Sequence, residues 1–122
     1  MFKVRVKDTS PERRVRKVLR QFGCQFETNV KGLPGTPDIV LFELGIIIFV
    51  NGCFWHHHYR CPKGGLPKNN RLIWRRKIIA TEIRDAKNIR QLKELGWEVI
   101  TIWECETYSQ YRIKQILTNF LF

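Results

Sequence analysis

The chain is predicted to fold as an α/β sandwich in which helices cover a mixed sheet. Three observations predict it. Apolar residues recur at helical spacing in three separate stretches. Two short β-branched and aromatic runs flank a tight, Gly-containing turn. A further β-rich run follows the longest helical stretch, so the chain must cross over that helix to rejoin the sheet. With 122 residues there is room for one domain, spanning 1–122, around one modest core.

The elements follow in order. Thr9-Ser10-Pro11-Glu12 is a helix start: either Thr9 caps with Glu12 reaching back, or Ser10 caps with Pro11 in the first turn. Val15, Val18, Leu19 and Phe22 then share a helical face, and Gly23 ends it. Gln25 to Asn29 alternates weakly, as a strand does. Lys31 to Pro37, with two Gly and two Pro, is loop. Asp38 to Phe42 is a strand, Glu43 to Gly45 its turn, and Ile46 to Val50 its hairpin partner. Asn51 to about Asn70 is polar and rich in Gly and Pro. A long helix is expected from about Arg71 to Leu95, with Ile79, Ile83, Ala86, Ile89 and Leu92 on its inner side, stopped by Gly96. Trp97 to Trp103 is a buried strand. A last helix, about Ser109 to Leu121, places Ile113, Ile116, Leu117 and Phe120 on one face.

Composition narrows the function. There are 22 Lys and Arg against 11 Asp and Glu, a formal net charge of +11. The excess is clustered: Arg13, Arg14, Arg16, Lys17 and Arg20 form one group, and Arg71, Arg75, Arg76, Lys77 and Arg84 another. Such clustering favours a nucleic-acid partner over a merely well-solvated surface. No stretch is long and apolar enough for a bilayer, and the N-terminus lacks the features of a secretory signal. A cytosolic location is therefore expected, which argues against disulfides among Cys24, Cys53, Cys61 and Cys105.

Several residues carry chemistry. Asp38 opens a buried strand, where a carboxylate is costly unless a cation meets it; a hard divalent ion or a basic side chain would serve. Cys53, His58 and Cys61 have the spacing C-x4-H-x2-C, and Cys105 can join them from the end of the last strand. Three Cys and one His make a closed tetrahedral zinc site. Cys24, between apolar residues, is a small buried filler. His56 is then left as a candidate general base, since imidazole titrates near working pH. Phe54, Trp55 and Trp74 are aromatics among polar or basic neighbours: core or loop packing is one reading, insertion between base pairs the other. Trp97 and Trp103 read as core or sheet-flanking residues.

These motifs together resemble the very-short-patch repair endonucleases, a branch of the PD-(D/E)xK nuclease superfamily. The matching stretches are KDTSPE (Lys7 to Glu12), LPGTPDIV (Leu33 to Val40), IIFVNGCFWHHH (Ile47 to His58), EIRDAKN (Glu82 to Asn88) and ELGWEVITIWEC (Glu94 to Cys105). They run in family order over nearly the whole chain. The resemblance implies the restriction-endonuclease-like three-layer α/β sandwich with a mixed central sheet. It implies a magnesium-dependent enzyme that nicks one strand of double-stranded DNA beside a thymine–guanine mismatch. Asp38 and the Val50 carbonyl would hold magnesium and His56 would activate water, while Glu12, Asn51 and Asp85 line the active site. Cys53, His58, Cys61 and Cys105 would hold structural zinc, and Phe54, Trp55 and Trp74 would enter the base stack. Mismatch-repair proteins are implied partners, and a monomer is expected.

The chain departs from the family at three points. Asn51 stands where relatives more often carry Asp or His, one extra residue precedes Cys61, and the segment before Thr9 is short, from which weaker DNA affinity is expected. Two other functions fit the same motifs: a mismatch-binding module that has lost cleavage, and a restriction or mobile-element nuclease acting on paired DNA.

Overall fold

The computed structural model describes residues 9–54, 56, 58 and 68–121. Helix α1 spans Ser10–Gln21, β1 Glu27–Thr28, β2 Ile39–Leu41, β3 Ile46–Asn51, α2 Arg71–Glu94, β4 Glu98–Trp103 and α3 Gln110–Leu121. A 3-10 turn, Glu104–Tyr108, joins β4 to α3. The sheet order is β1-β2-β3-β4. β1, β2 and β3 pair antiparallel in succession, and β3 pairs parallel with β4 across the α2 crossover.

Local chemistry sets the boundaries. Thr9 is the cap of α1, its hydroxyl accepting the Glu12 N–H at 3.4 Å, with Pro11 in the first turn. The end of α2 is a Schellman turn: Trp97 N–H donates to the Leu92 carbonyl and Gly96 N–H to that of Lys93. Gly96 sits there at φ 97°, a conformation that L side chains avoid. Trp97 and Leu92 then pack together beneath the turn.

Alternation along the strands builds three layers. Ile39, Leu41, Ile46, Ile48, Val50, Ile100 and Ile102 face Val15, Val18 and Leu19 of α1 and Ile113 and Leu117 of α3. The opposite face carries Val40 and Ile47, which pack with Leu92 of α2 and with Phe49, Trp97 and Val99. The mixed sheet with helices on both faces is the architecture of the restriction-endonuclease-like class. Cys24 packs, partly buried, on the first of these clusters.

Two expectations about helix faces are corrected. On α2, Ile79 and Ile83 are 44% and 66% exposed and Ala86 is exposed, so they do not form its inner side. The inner side holds Ile78 and Leu92, buried, together with half-buried Trp74, Thr81, Asp85, Asn88 and Ile89. The physical reason is that this face also lines a cleft, where polar side chains are required. On α3, Phe120 is 42% exposed and Leu121 takes its place against the core. The strand expected at 25–29 shrinks to an exposed edge of two residues, Glu27–Thr28. Among the described residues, no helix is long and apolar enough to cross a membrane.

Candidate active site and metal centre

The approach to Asp38 is made by a tight turn. Gly35 has φ 79° and Thr36 φ 45°. A Cβ added at Gly35 would stand 2.9 Å from the Asn88 side-chain amide, so glycine alone lets the turn lie against α2. The turn delivers Asp38 to the start of β2, where its Oδ2 accepts the Val50 N–H at 2.7 Å. Val50 thus meets Asp38 through its amide, and it also lines the adjoining cleft.

Asp38 lies beside Glu12, which reaches in from the first turn of α1 and is 2% exposed. Arg16, also buried, stands 3.8 Å from Glu12. Burial pushes the Asp38 carboxyl up to about 7; the Val50 N–H opposes the rise, the neighbouring Glu12 adds to it, and His56 opposes it. The site therefore penalises negative charge until a cation arrives. Its donors are carboxylate oxygens with the Asn51 amide close by at the end of β3, a set suited to a hard divalent ion.

Across the cleft, His56 Nδ1 pairs with Asp85 Oδ2 of α2. That contact leaves Nε2 as the basic nitrogen. Glu12, Asp38, Val50, Asn51, His56 and Asp85 all line one cavity of about 780 Å³. The sequence-derived catalytic set is thus gathered in one place. Thr9, Thr36, Thr81, Asn88, Thr101 and Glu104 line it too and escaped the sequence reading. The polar period Thr81, Asp85, Asn88 along α2 was the available signal for its share.

A second centre adjoins the first. Cys53 is buried, and its Sγ lies 3.6 Å from His58 Nδ1; Cys105 Sγ lies 3.4 Å from the same nitrogen. The edge between sulfur and nitrogen ligands of tetrahedral zinc is about 3.6 Å, from bond lengths of about 2.3 and about 2.0 Å. These three residues therefore fit zinc. The Cys105 N–H donates to Cys53 Sγ at 3.4 Å, and the Cys53 N–H to Glu104 Oε1 at 3.3 Å. Cys61, the fourth expected ligand, lies outside the described residues.

The aromatic set is brought together in part. Phe54 and Trp74 meet edge to face, ring centroids 5.4 Å apart, with Phe54 at the cleft. Lys77 sits over the Trp74 ring at 5.2 Å. Trp55 lies outside the described residues. Trp97 packs edge to face with Phe42 at 5.6 Å, as a sheet-flanking residue should. Trp103 does more than flank the sheet: its ring stacks on His58 at 4.2 Å and meets His56 edge-on at 6.4 Å.

The family model described as DNA mismatch endonuclease Vsr matches residues 1–63. The chain is 41% identical over 121 residues to the type II nicking enzyme V.XorIIP of Xanthomonas oryzae pv. oryzae, covering 99% of this chain and 88% of that one. It is 43% identical over 106 residues to the type II nicking enzyme V.NmeAIP of Neisseria meningitidis, covering 87% and 75%. With the DNA mismatch endonuclease Vsr of Escherichia coli it shares 39% identity over 102 residues, covering 84% and 65%.

Proposed function

The chain belongs to the DNA mismatch endonuclease Vsr family, and from that premise we propose that it nicks one strand of double-stranded DNA beside a thymine–guanine mismatch by magnesium-dependent hydrolysis. One observation carries the reading: a buried Asp38–Glu12 carboxyl pair opens into the same cleft as the His56–Asp85 pair. The first pair is where a cation belongs, and the second is an oriented base.

The chemistry divides among named groups. Asp38 and the Val50 carbonyl would hold magnesium, with Glu12 and Asn51 lining the same site. When bound, magnesium supplies Lewis acidity at the scissile phosphate and charge stabilisation at the leaving oxygen. His56 takes a proton from the attacking water at Nε2, while Asp85 fixes the tautomer and stabilises the imidazolium that results. Cleavage leaves a 5′-phosphate. Cys53, His58 and Cys105, with Cys61 as the expected fourth ligand, would hold structural zinc, which would pin a segment with little apolar content of its own. Phe54 and Trp74, with Trp55, enter the base stack; unstacking costs least where pairing is already poor, and this difference supplies selectivity. The protein would work on DNA as a monomer alongside mismatch-repair proteins, and repair synthesis would fall to other proteins.

The test is a nicking assay on two duplexes that differ only in one T:G mismatch, with magnesium and with chelator. Nicking of the mismatched duplex alone, abolished by chelation, is expected. Equal cutting of the matched duplex would replace this reading with a restriction-type nuclease. Mismatch-selective binding without cutting would make it a recognition module.

A further inference from the structure

We propose that Trp103 is a positioning residue that holds the His56 ring in its working orientation by bracing it against the Cys53–His58–Cys105 centre. The inference rests on the assignment of His56 as the base. His56 and His58 lie on one short turn, whose backbone is held by His56 N–H to the Gly52 carbonyl at 3.2 Å and His58 N–H to the Cys53 carbonyl at 2.9 Å. Asp85 grips His56 at Nδ1. A ring held at one atom can still swing about that contact. The wall that limits the swing is the Trp103 indole, edge-on to His56 at 6.4 Å and 74°.

The wall is itself fixed on two sides. Its face lies on the His58 ring, 4.2 Å away and only 7° from parallel, and His58 Nδ1 is clamped between two sulfurs. Its backbone is paired in register with Asn51 across the parallel strands, and its N–H donates to Glu106 Oε1 at 3.0 Å. Aromatic pairs at these separations are attractive in both geometries. Order therefore passes from the Cys–His centre, through one indole, to the imidazole in the cleft. Catalytic groups need orientations held within tight limits, and residues locked by packing around them supply that hold.

A merely structural tryptophan and a positioning one differ in what their removal does. The experiment compares wild type, Trp103→Ala, Trp103→Phe, His58→Cys and the Trp103→Ala/His58→Cys double variant. It measures steady-state and single-turnover nicking of the T:G duplex, zinc content, and the ring-proton resonances of His56 by NMR. His58→Cys keeps four zinc-competent ligands, a thiolate replacing the imidazole, but deletes the ring that Trp103 rests on. Trp103→Ala is expected to lower kcat roughly tenfold to hundredfold with KM little changed and zinc retained. Trp103→Phe restores most of the loss. His58→Cys lowers kcat comparably and shifts the His56 ring signals, and the double variant is no worse than the poorer single, because both break one chain of contacts. A kcat for Trp103→Ala within about twofold of wild type, or losses that multiply in the double variant, would overturn the proposal. Should Trp103→Ala fail to fold, His58→Cys decides: full zinc with unmoved His56 signals also overturns it. If wild type does not nick, the functional reading fails by itself, and the NMR comparison still judges the bracing.

Discussion

Asp38 is a carboxyl that the fold keeps uncomfortable. In the unfolded chain it titrates near 3.8, and in the cleft burial raises it to about 7, with Glu12 adding to the rise. Below about pH 4 both states are protonated and nothing is lost. Between about pH 4 and about pH 7 the unfolded chain ionises freely while the folded one keeps its proton, so the metal-free protein loses stability across that window and levels off above it. A divalent ion reverses the sense: its affinity rises over the same range, because the proton must leave before it binds. Asp38→Asn removes the charge and can still accept from Val50. In chelator it is expected to melt above wild type at about pH 8 and level with it at about pH 4; a difference that does not change with pH rejects the account. Asp38→Ala is expected to end nicking while duplex binding survives, and retained nicking would show that the metal lies elsewhere. Asp85→Asn presents an amide to His56 Nδ1 and favours the wrong tautomer. It should cut kcat by roughly 10²- to 10⁴-fold with DNA affinity intact, read by single-turnover nicking alongside a binding isotherm.

The element in which physics and pattern part company is α2. Counting apolar residues at helical period selects Ile79, Ile83 and Ala86, yet these face solvent. The helix is apolar on the outside and mixed on the inside because its inner face serves two ends: Ile78 and Leu92 pack, while Thr81, Asp85 and Asn88 line the cleft. Leu92→Ala is therefore expected to cost about 2–5 kcal/mol, whereas Ile83→Ser should stay within about 0.5 kcal/mol. Denaturant melts with matched slopes would check both, and a large loss at Ile83 would return it to the core. Elsewhere the elements were legible wherever their signals are local. The start of α1, the turn before Gly45 and the stop at Gly96 each depend on a few consecutive residues, although the choice of Thr9 over Ser10 as the cap came from the structure. So does the grouping of Cys53 with His58. Trp103 and Glu104 could not be placed in the same way: they reach the site only through the parallel register of β4 on β3, which pairs residues about fifty positions apart. Cys105 arrives by the same route, and it was foreseen because sulfur with histidine implies a metal in a way that an indole does not. Cys53→Ser is expected to abolish zinc binding and lower the folded yield; zinc content equal to wild type would remove the centre from the fold's support.

Over the whole molecule, the charge of +11 is unevenly available. In α1, Arg16 stands beside Glu12, Arg14 bonds Thr107 and lies over Tyr108, and Arg20 lies over Phe26. In α2, Lys77 lies over Trp74, but Arg71, Arg75, Arg76 and Arg84 are exposed, against Arg13 and Lys17 on α1, so α2 offers more basic groups to phosphates. Phosphate contacts read no sequence and release counterions, so affinity for any duplex should fall steeply with salt. In the proposed wedge role, the Phe54–Trp74 pair would work differently, since unstacking at a mismatch involves no change in the number of phosphates neutralised. The two contributions should therefore separate. Raising salt from about 50 to about 200 mM is expected to weaken binding to matched and mismatched duplexes alike, roughly a hundredfold or more, while their ratio holds within about threefold. Phe54→Ala should do the converse, lowering the ratio and leaving the salt slope unchanged. Titrations of both duplexes at several salt concentrations measure both quantities at once. A ratio that collapses with salt would mean that discrimination is itself electrostatic, and the aromatic pair would lose its role in choosing the site.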